Sequence, residues 1–364
     1  KKDYSFHLKK NSSEFIRNII NEVGQFTSVL LSLNILLSEI LVLLGLSILL
    51  LIVNFEMAIA TLLFFGIASY IFNFFSKSLI SDWGIKRQYN DSERLKNIQQ
   101  GLTGIKEIKL MNLENYFVDI YNISNYEIAR VNRNLNIIRT IPRLYLELLA
   151  IFLLCTFIYF FNLSNNMKDL IPTLGLFAAA GFRILPLANR IVTSYQKINF
   201  SLPAITTIFN EINEINNNKF ENRKKSLNFE NLIKFENIDF KYENTNEFVF
   251  KNLNFEIKNG QTIGIYGESG TGKTTFVNLL TGLIRPNSGV IYVDSKKIHE
   301  NLQSWQKNIG YVPQKVFITD DTLLKNIALG EVNNNINIEN VKKILEEVNL
   351  NSYVSKTTNG LNTS

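Results

Sequence analysis

Apolar residues are spread unevenly along this chain. Residues 29–53 form an almost wholly apolar run whose strongly polar exceptions are Asn34 and Glu39, and residues 40–53 carry no charge. As a helix this run rises about 37 Å, enough to cross a bilayer with some tilt. Asn54, Phe55 and Glu56 separate it from a second uncharged run, residues 57–75. Two such runs joined by so short a turn predict a transmembrane hairpin, because helices without a polar face are rare in water-soluble domains. Residues 144–161 and 170–190 predict a third and a fourth span, with a short outer loop over residues 162–169. Between the two pairs, residues 76–143 are polar, basic and helical in pattern. They predict two helices that leave the membrane and turn back near residues 110–116.

The basic residues give the chain an orientation. Lys77, Lys86, Arg94, Lys106, Arg130 and Arg143 belong to the 76–143 segment, and residues 1–17 and 219–225 are also basic. By the positive-inside rule all three segments lie in the cytoplasm. Residues 11–14 offer an N-cap before a short amphipathic helix. The fourth span carries Arg183, followed at seven-residue intervals by Arg190 and Lys197 on the same helical face. An arginine within a span is costly unless it faces a polar cavity, so Arg183 and Arg190 are candidate substrate-cavity residues. Glu39 and Glu147 are both candidate partners for Arg183.

Beyond a polar linker at residues 216–225 the pattern changes, which places a domain boundary near residue 222. Residues 233–242 alternate apolar and polar positions, the pattern of an edge strand, and residues 252–257 alternate again. Asn259-Gly260 is a hairpin-type turn. Residues 261–266, 289–294 and 309–314 also predict strands, and helical spacing returns at Val341, Ile344, Leu345 and Val348.

The chemistry concentrates in residues 267–275, Gly-Glu-Ser-Gly-Thr-Gly-Lys-Thr-Thr. This stretch fits the phosphate-binding loop pattern G-x-x-x-x-G-K-[ST] between a predicted strand and a predicted helix. Gly267, Gly270 and Gly272 let successive backbone N–H groups converge on phosphate oxygens. The helix start adds partial positive charge, and Lys273 adds a mobile full charge. The Thr274 hydroxyl is placed to ligate Mg²⁺. The loop predicts nucleoside triphosphate binding.

Composition narrows the class. Net charge is +6 over 364 residues, without a compact Lys/Arg block, which argues against a nucleic-acid partner. The single cysteine, Cys155, excludes an intrachain disulfide. With only His7 and His299 beside it, a zinc site is not expected. The polar start at residues 1–7 does not resemble a signal peptide and suggests a fragment of a longer chain.

Taken together, these motifs resemble an ABC exporter half-transporter. Phe240-Lys-Tyr242 is similar to the family's A-loop, whose aromatic ring stacks on adenine. The loop matches the stricter form G-x-x-G-x-G-K-[ST]-[ST] through Thr275. Tyr311-Val-Pro-Gln314 looks like the Q-loop, and residues 322–330 are similar to the stretch that follows it. The resemblance implies an α-helical transmembrane domain over residues 1–221, followed by part of an α/β P-loop ATP-binding domain over residues 222–364. It implies coupling segments near residues 11–20 and 104–117. It implies ATP binding by Tyr242, Gly267, Glu268, Ser269, Gly270, Thr271, Gly272, Lys273, Thr274, Thr275 and Gln314, with Mg²⁺ held by Thr274 and Gln314. Residues 11–18 and 181–190 look most like those of lipid-linked oligosaccharide flippases. That likeness gives Arg183 and Arg190 the pyrophosphate of a polyprenyl-linked glycan as ligand.

The resemblance further implies a homodimer, or a heterodimer with a second half-transporter, in the cytoplasmic membrane with its nucleotide domain in the cytosol. The family's signature L-S-G-G-Q, its Walker B carboxylate and its switch histidine are not found in these residues. No catalytic residue is therefore assigned, and this stretch alone is expected to bind ATP without hydrolysing it. Three alternatives remain: a multidrug or peptide exporter, a membrane-anchored P-loop kinase or GTPase, and an ATP-sensing membrane subunit without transport activity. The kinase or GTPase reading leaves Tyr242 and Gln314 unexplained.

Overall fold

The computed structural model describes residues 4–163, 167–217, 227–243, 245–332 and 335–363. The chain groups into two compact units. One comprises Lys1–Arg223 with Thr274–Pro286, and the other Lys224–Lys273 with Asn287–Ser364.

The first unit is built from long helices. Short helices α1 (Tyr4–Lys9) and α2 (Ser12–Arg17) lead through a π-helical turn, Asn18–Glu22, into α3 (Val23–Val53). The Asn11 side chain caps α2 by accepting from the Ser13 N–H, as its position predicts. Asn54 alone separates α3 from α4 (Phe55–Thr103), and its side chain caps α4 by accepting from the Met57 N–H at 3.1 Å. Next come α5 (Ile105–Met111) and a left-handed Asn112 where the sequence predicts the turn, then α6 (Glu114–Leu163), α7 (Met167–Phe200) and α8 (Leu202–Asn217). Of the predicted outer loop, residues 162, 163 and 167–169 are helical and 164–166 lie outside the described residues; of the predicted linker, residues 216 and 217 end α8 and 218–225 lie outside the described residues.

Among the described residues, four helices are long and apolar enough to cross a membrane. Only 6% of the most apolar window of α3 is buried within the chain, and 22% of that of α4. A water-soluble bundle would turn these faces inward; here they face outward, as lipid contact requires. The small interior includes Leu50, Phe157, Phe177 and Ile184.

A buried ionic chain crosses this unit. Glu22, fully buried in the π-helical turn, accepts from Arg87 of α4 at 3.1 Å. Arg87 also donates to Asp91 at 3.2 Å, and Asp91 accepts from Arg94 at 3.0 Å. Phe200, the last residue of α7, lies against the Arg87 guanidinium at 5.7 Å and that of Arg139 at 6.0 Å. One turn before Arg87, Gly84 lets the backbones meet: a Cβ there would come within 2.2 Å of the Phe200 carbonyl oxygen.

The second unit holds a four-stranded antiparallel sheet in the order β2-β1-β3-β4. Its strands are β1 (Leu232–Phe240), β2 (Phe250–Lys258), β3 (Ser288–Val293) and β4 (Lys296–Lys297). The edge assignment of β1 is corrected: it pairs on both sides. Its alternation reflects one buried face, with Ile233, Phe235 and Ile238 inside, not an unpaired edge. Two further expectations fail. Residues 261–266 and 309–313 carry no regular secondary structure and join no ladder among the described residues, and Tyr266 and Val312 are 96% and 89% exposed. An apolar run becomes a strand only when a partner supplies the hydrogen bonds.

Two carboxylates clamp the sheet. The Ser288 hydroxyl and the Asn252 N–H donate to Asp239 and hold its carboxyl below the usual range. At the end of β3, desolvation pushes the Asp294 carboxyl up, but N–H groups of Glu230, Leu232 and Asn231 donate to it and the net shift is downward. Gly289, at φ +82°, faces a bulge in β1, where a Cβ would stand 2.3 Å from the Asn237 carbonyl oxygen and 2.5 Å from that of Glu236. Gly289→Ala is therefore expected to destabilise this unit by about 3 kcal/mol through strained backbone and overlap. A lowered thermal midpoint for the purified full-length protein would show it, and an unchanged midpoint would refute it.

Candidate nucleotide site

The loop that follows the Asn259-Gly260 turn has the geometry its glycines predict. Gly267, Gly270 and Gly272 all take positive φ, at 155°, 88° and 94°. At Gly272 the need for glycine is also steric, because a Cβ would approach the Val249 side chain to 2.6 Å. The loop feeds α9 (Lys273–Leu280), whose end turns over at Gly282 with φ +69°, the predicted stop. Lys273 folds back over the loop and donates to the carbonyls of Gly267 at 2.8 Å and Glu268 at 2.6 Å. The Thr271 hydroxyl donates to the same Glu268 carbonyl at 2.9 Å. Glu268, Ser269 and Gly270 are exposed, as is Thr274, while Thr275 is buried. The open face thus presents the start of α9, an ammonium group and the hydroxyl of the exposed Thr274, the equipment for a polyphosphate and its cation.

Tyr242 follows β1. Its half-exposed ring meets Phe240 edge-on, with centroids 5.0 Å apart. The connection after it returns at Val249, whose N–H donates to the Phe240 carbonyl and whose side chain covers Gly272. One short hairpin thereby ties the aromatic residue to the phosphate loop. Gln314 lies exposed after residues 309–313. Beyond it, Asn326 staples the next turn: its amide donates to the carbonyls of Thr319, Asp321 and Thr322, and its oxygen accepts from the Thr319 N–H at 2.8 Å. Thr322 caps the short α10 (Leu323–Ile327) by accepting from the Lys325 N–H.

A family profile described as "ABC transporter" matches residues 250–363, and one described as "ABC transporter transmembrane region" matches residues 1–180. The chain belongs to the ABC transporter family. A multidrug resistance-like ATP-binding protein, MdlA, of Buchnera aphidicola is 28% identical over 90% of this chain and 57% of its own length. An ATP-dependent lipid A-core flippase of Aliivibrio fischeri is 25% identical over 66% of this chain and 41% of its own length. The chain therefore spans about half the length of these relatives. A solved structure of a bacterial Atm1-family ABC exporter with ATP bound superposes with a TM-score of 0.82 at 19% identity, covering 99% of this chain and 64% of that one, and so shares the fold.

The membrane arginines sit differently from the sequence expectation. Glu39 pairs with Arg190, at 3.0 Å, and not with Arg183. Glu147 pairs with Arg143, one turn earlier on α6, at 2.9 Å. Arg183 is exposed, and among the described residues no carboxylate lies within ion-pair distance of it. A cavity of about 400 Å³ opens nearby, lined chiefly by apolar side chains including Phe65, Phe157, Phe177 and Phe182, with Glu147 as its charged residue. The ionic chain of Glu22, Arg87 and Asp91 was not foreseen. The only signal for it was the i,i+4 spacing of Arg87 and Asp91, which solvated helices share.

Proposed function

We propose that the full-length protein is an ABC-type exporter subunit of the cytoplasmic membrane. It works as a dimer and moves a lipid-linked oligosaccharide or another amphipathic anion. The observation that carries the ATP part is the loop geometry: three glycines at positive φ, Lys273 held over the loop, and Tyr242 tied to Gly272 through Val249. The domain division falls near residue 222. Residues 267–275 grip the phosphates and Tyr242 takes the adenine face, worth about 1–3 kcal/mol by analogy with base stacking. Thr274 and Gln314 are the residues that would hold Mg²⁺, which would neutralise phosphate charge.

The anionic substrate rests on Arg183 and Arg190, two cations at helical spacing within a candidate span. A multidrug or peptide exporter is favoured by one different observation, the aromatic-lined cavity beside Gly181. Translocation in liposomes separates the two readings. ATP-driven movement of a polyprenyl-diphosphate glycan, weakened about tenfold or more by Arg183→Ala, is expected. If the glycan does not move and Arg183→Ala leaves all activity intact, the flippase reading is wrong. ATP binding with no translocation of any substrate would instead favour a membrane-anchored nucleotide-binding protein.

A further inference from the structure

The geometry points to Glu39 as a built-in counter-ion that competes with the anionic substrate for Arg190. This inference rests on the anionic-substrate reading above and assigns a selectivity role to a residue of α3. The pair joins α3 to α7, with Arg190 Nε 3.0 Å from a Glu39 carboxylate oxygen. The two partners are unequally covered: the glutamate side chain is 13% exposed and the arginine 48%. A guanidinium carries five N–H donors in a planar fork. One edge is occupied by Glu39, and the exposed remainder is open to a second anion.

Depth and charge support the role. Glu39 lies fifteen residues from the Asn54 turn, about 22 Å along the helix, which places the pair in the inner half of a bilayer near the headgroup boundary. An unpaired arginine at that depth is costly, so a carboxylate partner keeps the empty site tolerable. The α7 face nevertheless keeps an excess of cations. Arg183 stands two turns away, about 10 Å along the helix with about 20° of drift, and Lys197 stands two turns beyond Arg190. Of these three cations at seven-residue spacing, Arg190 is the one that an ion pair joins to Glu39. A group carrying two or more negative charges, such as a diphosphate, satisfies Arg183 and the open edge of Arg190 together. Bound there it shares the guanidinium with the Glu39 carboxylate and must overcome its repulsion. A monoanion gains too little to do so, which makes the carboxylate a filter for charge and, by its repulsion, an aid to release.

The test is equilibrium binding to the purified full-length protein, with its nucleotide site saturated by a non-hydrolysable ATP analogue. The probes are farnesyl diphosphate, farnesol and inorganic diphosphate. Nucleotide-analogue binding and thermal midpoints verify that each variant is folded. Glu39→Gln is expected to tighten farnesyl diphosphate binding by about tenfold, because a competing charge is removed while the arginine remains. Arg190→Gln is expected to weaken it, and Glu39→Gln combined with Arg190→Gln to match Arg190→Gln alone. If the wild-type protein prefers the diphosphate over farnesol and Glu39→Gln changes nothing or weakens binding, the counter-ion role is overturned while the substrate class stands. If no variant prefers the diphosphate over farnesol, both fall. Inorganic diphosphate binding as tightly as the lipid, with the same response to Glu39→Gln, would keep the counter-ion role and overturn a lipid as its source.

Discussion

Lys273→Ala is expected to reduce ATP affinity of the full-length protein by about 100-fold and its ATPase rate by at least as much, the usual loss when one preorganised charge at a phosphoryl site is removed. The reason lies in how the loop holds the ammonium. Nζ sits 2.8 Å from the Gly267 carbonyl oxygen and 2.6 Å from that of Glu268, so the loop's own backbone fixes its position ahead of any phosphate. Lys273→Arg should not restore activity, because a planar guanidinium cannot fill the same two-carbonyl seat. Thermal stability without nucleotide should barely change, since both bonds lie on the exposed loop. Titration with a fluorescent ATP analogue reads the effect directly. Undiminished binding by Lys273→Ala would mean that residues 267–275 are not the nucleotide site.

The largest effect on stability is expected at Arg87. Arg87→Ala removes the cation between Glu22, which is wholly buried, and Asp91, which is 5% exposed. Asp91 keeps Arg94, but Glu22 is left with Arg17 alone at 3.9 Å, and weakening the pairing of so buried a carboxylate costs about 3 kcal/mol. Arg94→Ala should cost about 1 kcal/mol at most, because its side chain is 27% exposed and water screens it. The informative variant is Glu22→Leu with Arg87→Met. An apolar pair of similar volume should recover much of the loss, because the penalty comes from the orphaned charge and not from a missing attraction. Thermal unfolding in detergent ranks the variants. If the double substitution unfolds as early as Arg87→Ala, the ionic chain is a positive source of stability and this account of it is wrong.

What the sequence disclosed depends on how local each feature is. The phosphate loop was legible because three glycines and a lysine in one short stretch determine its backbone. The membrane helices were legible because an uncharged run needs no partner to be recognised. The strands were harder. Residues 261–266 and 309–314 have the apolar content of strands, yet without a neighbouring ladder they form no strand and stay mostly exposed. Residues 233–242 were read as an edge because they alternate, but alternation records which face is wet and says nothing about how many neighbours a strand has. Glu22 and Arg87 are 65 positions apart, so no periodicity connects them. Glu39 and Glu147 were both candidate partners for Arg183, and Glu39 lies beside Arg190 instead, because the relative register of two packed helices is set by side-chain interlocking that a single sequence does not display.

The single-residue turn at Asn54 bears on how such a chain is made. Two helices that meet across one residue lose little loop entropy on coming side by side, even though α3 packs more extensively on α7 and α4 on α6. They are expected to enter the bilayer together during synthesis, as one preassembled stave. Asn54 then acts as the latch of that stave, ending one helix and starting the next with the same side chain. Lengthening the turn by even a few glycines would leave both helices intact but uncouple their entry, so the damage would appear in membrane-inserted yield before it appeared in ATP binding.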